Sequence, residues 1–136
     1  MEAAKTEVEQ LHRFFQDWFN GDLPNTDAAF ARFDTVMGEA FEMVVPAGAT
    51  VPRPALMKGL RGAYGKNKHA PCRIWIEAVS VRQLADGLVL VAYQEWQEMD
   101  GQVKGRQSTA IMRQVGDKPN NLVWQHLHET WLPSRH

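Results

Sequence analysis

The stretch Leu88-Val-Leu-Val-Ala-Tyr-Gln-Glu-Trp-Gln-Glu-Met-Asp-Gly101, running on into Gln102-Val-Lys-Gly-Arg-Gln-Ser-Thr-Ala-Ile-Met-Arg113, decides the fold. Two runs rich in β-branched and aromatic residues flank Asp100-Gly101. That dipeptide tolerates the positive φ angles a two-residue hairpin turn demands. Asp86-Gly87 repeats the signal upstream, and Lys118-Pro-Asn-Asn121 marks a further turn downstream. The pattern predicts four consecutive antiparallel strands over residues 72–84, 88–99, 103–115 and 122–132. Apolar parity slips inside the first of these, from Ile74 and Ile76 to Val79 and Val81. A one-residue slip predicts a β-bulge near Ala78, which bends the sheet.

Upstream of the strands the period changes. Val8, Leu11, Phe14, Phe15, Trp18 and Phe19 recur at three- and four-residue spacing, which predicts an amphipathic helix over residues 5–20. On this wheel His12 falls on the solvated side. Gly21 stops the helix and Pro24 prevents its continuation. Thr26 or Asp27 caps a short second helix carrying Phe30 and Phe33. A short strand is expected at residues 40–45, broken by Pro46-Ala-Gly48. Pro54 opens a third helix and Gly65 closes it, with Leu56, Met57, Leu60 and Tyr64 as its apolar stripe. Helices followed by a bent meander give an α+β fold. Three N-terminal helices pack on one face of a strongly bent antiparallel sheet, forming a cone with an internal pocket, in a single domain over residues 1–136.

Composition narrows the function classes. The chain has 136 residues, 44% of them hydrophobic and 23% charged, with a formal net charge of −1. This is globular rather than disordered, and it lacks the positive field that sequence-independent nucleic-acid binding requires. One cysteine, Cys72, forms no internal disulfide and no multi-cysteine zinc site, and reads as an inert small residue. The start has no apolar signal region, and no apolar run is long enough for a bilayer. A cytoplasmic protein without membrane or nucleic-acid partners is expected. No cofactor or metal is implied: His126 and His128 share a strand face but lack a visible third ligand.

Four segments carry a resemblance: Phe41-Glu-Met-Val-Val-Pro-Ala-Gly48, residues 56–65, Gly105-Arg-Gln-Ser-Thr109 and Trp124-Gln-His-Leu-His-Glu-Thr130. Their layout resembles the nuclear transport factor 2-like superfamily, with its cystatin-like cone. That group includes ketosteroid isomerase, polyketide-cyclase-like proteins and the association domain of calcium/calmodulin-dependent protein kinase II. The last segment looks like the association domain's final strand. The resemblance implies a homodimer through the outer sheet face and a pocket inside the cone. It also implies that the isomerase's catalytic base would stand at Val45, and a valine takes no proton. In the association domain the residue after the second histidine points into the pocket, and that position is Glu129 here.

Alternation along the strands yields two faces. One holds Leu90, Ala92, Gln94 and Trp96, then Arg106, Ser108, Ala110 and Met112, then Gln125, Leu127, Glu129 and Trp131. The other holds Val89, Val91, Tyr93 and Glu95, then Gln107, Thr109, Ile111 and Arg113, then Trp124, His126, His128 and Thr130. The first set grades from small and apolar to polar and aromatic, as a ligand pocket does, and is assigned to the concave face. Gln94, Trp96, Arg106, Ser108, Glu129 and Trp131, with Tyr64 from the third helix, are therefore the expected ligand-binding residues. Val89, Val91, Tyr93, Ile111 and Trp124 are assigned to the dimer face, with the two histidines beside them. Arg61, Lys66, Lys68, His69 and Arg73 form a local basic patch near one loop.

The function expected is a homodimeric domain that binds a small apolar or aromatic molecule in the cone. The alternative is an isomerase, cyclase or dehydratase acting on a small, largely apolar substrate, with Glu129 or Tyr64 as acid or base. A third class is an association module whose role is oligomerisation.

Overall fold

A computed structural model describes residues 2–133; Met1 and residues 134–136 of the expected span lie outside the described residues. The N-terminal helices are α1 (Glu2–Phe19), α2 (Asp27–Asp34) and α3 (Arg53–Gly62). The strands are β1 (Met37–Val44), β2 (Thr50–Pro52), β3 (Arg73–Ala85), β4 (Leu88–Met99), β5 (Gln102–Gln114) and β6 (Leu122–Trp131). One six-stranded sheet runs in the order β2-β1-β6-β5-β4-β3. The architecture is the expected α+β cone: a curled, unclosed sheet with helices inside its bend. No described helix is long and apolar enough to cross a membrane.

Local chemistry accounts for the element ends. Thr26 Oγ1 accepts the Ala29 amide at 3.1 Å and caps α2. Gly21, at φ +74°, ends α1 in the left-handed conformation that glycine adopts without penalty. Asp100 and Gly101 both take positive φ, 51° and 77°, as a two-residue hairpin turn requires. Ala78 sits at φ 54°, where the β3–β4 register shifts between Glu77 and Ser80. The expected bulge is there, and it returns Val79 and Val81 to the core side.

Two features go beyond the meander. β1 pairs with β6 in parallel, Met43 opposite Leu127, so the sheet is mixed. The three-residue β2 then folds back on β1 in antiparallel register. Neither strand order nor direction is encoded in hydropathy, and β2 is too short to show a period.

The core fills the concave side. Val8, Leu11, Phe14 and Trp18 of α1 meet Phe30 and Phe33 of α2 and the wall formed by Val89, Val91, Tyr93, Ala110, Met112, Trp124 and Leu127. Polar side chains at and just past the end of α1 pin the sheet edge. Asn20 exchanges two 2.9 Å hydrogen bonds with the Cys72 backbone, and Gln16 accepts the Ile74 amide at 2.9 Å. Trp18 Nε1 donates to the Leu60 carbonyl at 2.8 Å and holds α3.

Register corrects one of the expected faces. The two-residue turn pairs Met99 with Gln102, and so Glu95 with Arg106 and Tyr93 with Ser108. Cross-strand partners share a face. Odd-numbered residues of β4 therefore join even-numbered residues of β5. Val89, Val91, Tyr93 and Glu95 are concave, while Leu90, Ala92, Gln94 and Trp96 are convex. On β6 a second irregularity, between Ile111 and Met112, places Trp124 opposite Met112 and turns it inward. The apolar dimer face expected from Val89, Val91, Tyr93 and Trp124 is thus core; Ile111 remains outside.

Candidate active or ligand-binding cavity

Between α1, α3 and the concave sheet lies a cavity of about 200 Å³. Leu11, Phe15, Phe33, Met43, Leu56, Leu60 and Leu127 give it carbon walls. His12, Tyr93, Glu95, Arg106 and Glu129 form its polar end, and Lys66, Asn67, Gln97 and Met99 also line it.

The polar end is two linked acid–base pairs. His12, only 2% exposed, donates from one nitrogen to the Val8 carbonyl at 2.8 Å and meets Glu95 Oε1 with the other at 3.0 Å. Since the carbonyl can only accept, Nδ1 carries a proton. Burial alone would lower the imidazole's pKa; the Glu95 contact outweighs it and the net direction is up. Burial likewise opposes ionisation of Glu95, but the His12 hydrogen bond and charge bring its carboxyl down to about 2. The pair is therefore charged on both sides. Gln97 donates to Glu95 Oε2 and fills its second oxygen.

Glu129 is 2% exposed and is held by Arg106 Nη1 at 2.8 Å and Ser108 Oγ at 2.7 Å. Burial, then repulsion from Glu95, pushes its carboxyl up; Arg106 and Ser108 only partly offset this. Tyr93 is fully buried beside these groups, and its hydroxyl has no hydrogen-bond partner. The neighbouring Ser108 hydroxyl gives its own proton to Glu129. Burial first, then the charges of Glu129 and Glu95, holds the Tyr93 phenol well above its ordinary range, so it stays a donor.

The seven expected site residues separate into groups. Arg106 and Glu129 line the cavity, and Ser108 stands behind them as a partner of Glu129. Trp131 pairs with Arg106 in register and stacks on its guanidinium, 5.1 Å from ring to charge, but at 53% exposed it is a rim residue. Gln94 and Trp96 are on the convex face; Trp96 lies over Gly105, and its indole donates to Gln94 Oε1 at 3.2 Å. Tyr64 does not reach the cavity. Its hydroxyl lies 2.5 Å from the Leu23 carbonyl and 3.2 Å from that of Gly21, and its ring meets Trp18 edge-on.

Sequence reading passed over His12, Tyr93, Glu95 and Asn67. For Tyr93 and Glu95 the signal was present: a two-residue Asp-Gly turn fixes opposite parity on its strands. His12 follows Val8 by one helical turn, which places it on the buried stripe rather than opposite. The basic patch is dispersed: Arg61 pairs with Asp27, Arg73 with Glu98, and Lys66 sits over the Phe19 ring 4.1 Å from its centroid. Among the described residues no cluster of three or more potential metal ligands is found.

A family model described as "Sucrose-6-phosphate phosphohydrolase C-terminal" matches residues 4–133, nearly the whole chain. The chain belongs to that family. As a member, it is 26% identical over 128 residues to sucrose-phosphatase 1 of Nicotiana tabacum. The match takes in 93% of this chain and 30% of the tobacco protein, so the domain spans under a third of that relative's length. Among solved structures it is similar to an NTF-2 like protein of unknown function from Pseudomonas aeruginosa, with TM-score 0.81 and 28% identity over 96% of this chain and 98% of that one. It also shares the fold of the CaMKII hub of S. rosetta, with TM-score 0.70 and 13% identity over 96% of this chain and 95% of that one. The chain thus has the cystatin-like fold that the resemblance implied.

Proposed function

We propose that this domain binds a small, largely apolar molecule inside its cone. The observation that carries the reading is the Tyr93 hydroxyl, buried on the wall of an apolar cavity with no partner. An unpaired buried hydroxyl costs free energy, and a ligand atom that meets it recovers that cost. The tobacco relative's name describes a protein more than three times this length, and its phosphatase chemistry is not what this cavity suits. A sugar phosphate would bring many hydroxyl groups against carbon walls, each needing a partner. The test is titration with 2-ethylnaphthalene, a compact hydrocarbon, followed through methyl resonances. Shifts concentrated at Leu11, Leu60, Leu127 and Met43, and abolished by Leu127→Trp, support the reading. Shifts absent or scattered over the convex face overturn it.

A second reading is favoured by one observation, the raised Glu129 carboxyl inside the cavity. A carboxyl poised above its usual range suits proton transfer in an isomerase, cyclase or dehydratase. Tyr64 has no part in it, since its hydroxyl is engaged by backbone carbonyls. Turnover of a cavity-sized ketone, lost in Glu129→Gln while binding persists, would establish this reading over simple binding.

We also infer that the domain is a homodimer through its convex sheet face. Leu90, Thr109, Ile111, His126 and His128 line a shallow groove there, and the half-exposed apolar members support a second copy as its occupant.

A further inference from the structure

Hydrogen-bond accounting at the cavity leaves two polar atoms over. Its acceptors are used: Glu95 faces His12 and Gln97, and Glu129 faces Arg106 and Ser108. The charges of its buried end are balanced as well, His12 with Glu95 and Arg106 with Glu129, while the exposed Lys66 sits over the Phe19 ring. What remains is the Tyr93 hydroxyl and Asn67 Oδ1, both buried and both without a partner.

The two atoms have opposite needs. The Tyr93 phenol is a donor whose hydroxyl has no hydrogen-bond partner. Asn67 Nδ2 lies 3.2 Å from Met99 Sδ. A thioether sulfur only accepts, which fixes the nitrogen on that side and leaves the amide oxygen as the orphan. Asn67 Oδ1 therefore lacks a donor. The positions differ too. Tyr93 is fully buried, whereas Met99, six residues on along β4 and about 20 Å by strand rise, is 40% exposed at the rim. Both side chains, Tyr93 and Asn67, line the one cavity.

We propose that the cone's ligand is an uncharged, mainly apolar molecule with a carbonyl-type acceptor oxygen at its Tyr93 end and a hydroxyl or N–H donor at its Asn67 end. This rests on the small-molecule reading above and adds the pattern of groups. At the buried end the paired charges make no demand for an ionic ligand, and a carboxylate there would meet Glu95 and Glu129. A cavity of about 200 Å³ takes on the order of ten to fifteen non-hydrogen atoms at interior packing density, so a bicyclic skeleton fits.

Four naphthalenes of nearly equal size test the pattern by calorimetric titration: 2-ethylnaphthalene with neither group, 2-acetylnaphthalene, 6-ethyl-2-naphthol, and 6-acetyl-2-naphthol with both. Each polar group should tighten binding by roughly 3- to 10-fold, the net value of one hydrogen bond. Tyr93→Phe should remove the acetyl advantage and keep the hydroxyl one; Asn67→Leu should do the reverse. Tyr93→Phe should also unfold at an unchanged or higher urea midpoint, since it deletes an unpaired hydroxyl. Equal affinities across the four probes would mean that water satisfies both atoms, overturning this proposal while the small-molecule reading stands. Equal losses for all four probes in both variants would overturn it too. No binding by any probe, with unshifted cavity methyls, would remove the small-molecule reading as well.

Discussion

His12 carries its charge where water does not reach, and that sets a pH signature. Its folded pKa is raised, so its contribution to stability is complete below about 6.5 and is lost as pH rises through the folded value. Glu95 is displaced the other way, from 4.5 to about 2. Its contribution is complete above 4.5 and is lost as pH falls toward that value. Glu129, raised, also favours the folded state on the acid side. Thermal stability should therefore peak between about pH 4.5 and 6.5 and decline toward pH 9. The double variant His12→Gln/Glu95→Gln, which keeps a neutral hydrogen bond, should lose most of that alkaline slope. An undiminished slope in circular-dichroism melts would refute the charged pair. Gly105 makes a different demand. A Cβ there would stand 2.5 Å from ring carbons of Trp96. Gly105→Ala should cost about 1–3 kcal/mol as overpacking, read as a lower urea midpoint at constant slope. Arg106 and Glu129 were legible as a pair because both strands' parity was right. Trp96 was not, because a tryptophan on β4 looks the same in sequence whichever side it faces.

Strands and turns were the most legible level. The bounds of β4 follow directly from Asp86-Gly87 and Asp100-Gly101, and the parity slip at Ala78 is a real bulge. The neighbouring faces were less so: β4 was inverted although the hairpin turn fixes its register, and the Trp124 irregularity has no parity slip of hydropathy to announce it. β2 and the parallel β1–β6 joint depend on contacts far apart in the chain. The bulge offers an element-scale test. An alanine at φ 54° carries about 1–2 kcal/mol of left-handed strain, and glycine's extra unfolded freedom costs about half of that. Ala78→Gly should stabilise the protein by about 0.5–1 kcal/mol in chemical denaturation, and a clear loss would mean that the methyl packs usefully. At the other end of the chain, Thr26→Ala should cost about 1 kcal/mol through loss of the α2 cap, and Thr26→Ser should restore most of it.

At the scale of the molecule, correcting β4 changes what a dimer would bury. The convex face offers Leu90 and Ile111 among threonine, glutamine and histidine side chains, a more polar surface than the one first expected. Sedimentation should show a dimer at micromolar concentration, and Ile111→Asp should yield a folded monomer with an unchanged far-ultraviolet spectrum. A wild-type monomer would remove the pairing proposal and leave the cavity untouched. The place of β6 has a consequence for how the chain is made. The last strand in sequence is an interior strand of the sheet, lodged between β1 and β5. Until it leaves the ribosome, β1 has no long partner, and the buried carboxylate of Glu7 lacks the indole of Trp124 that later donates to it at 2.9 Å. Nascent chains ending near residue 121 would hold a bare strand edge and an open hydrophobic wall at once. Such intermediates are what holding chaperones bind, and the cone is completed only once β6 has emerged.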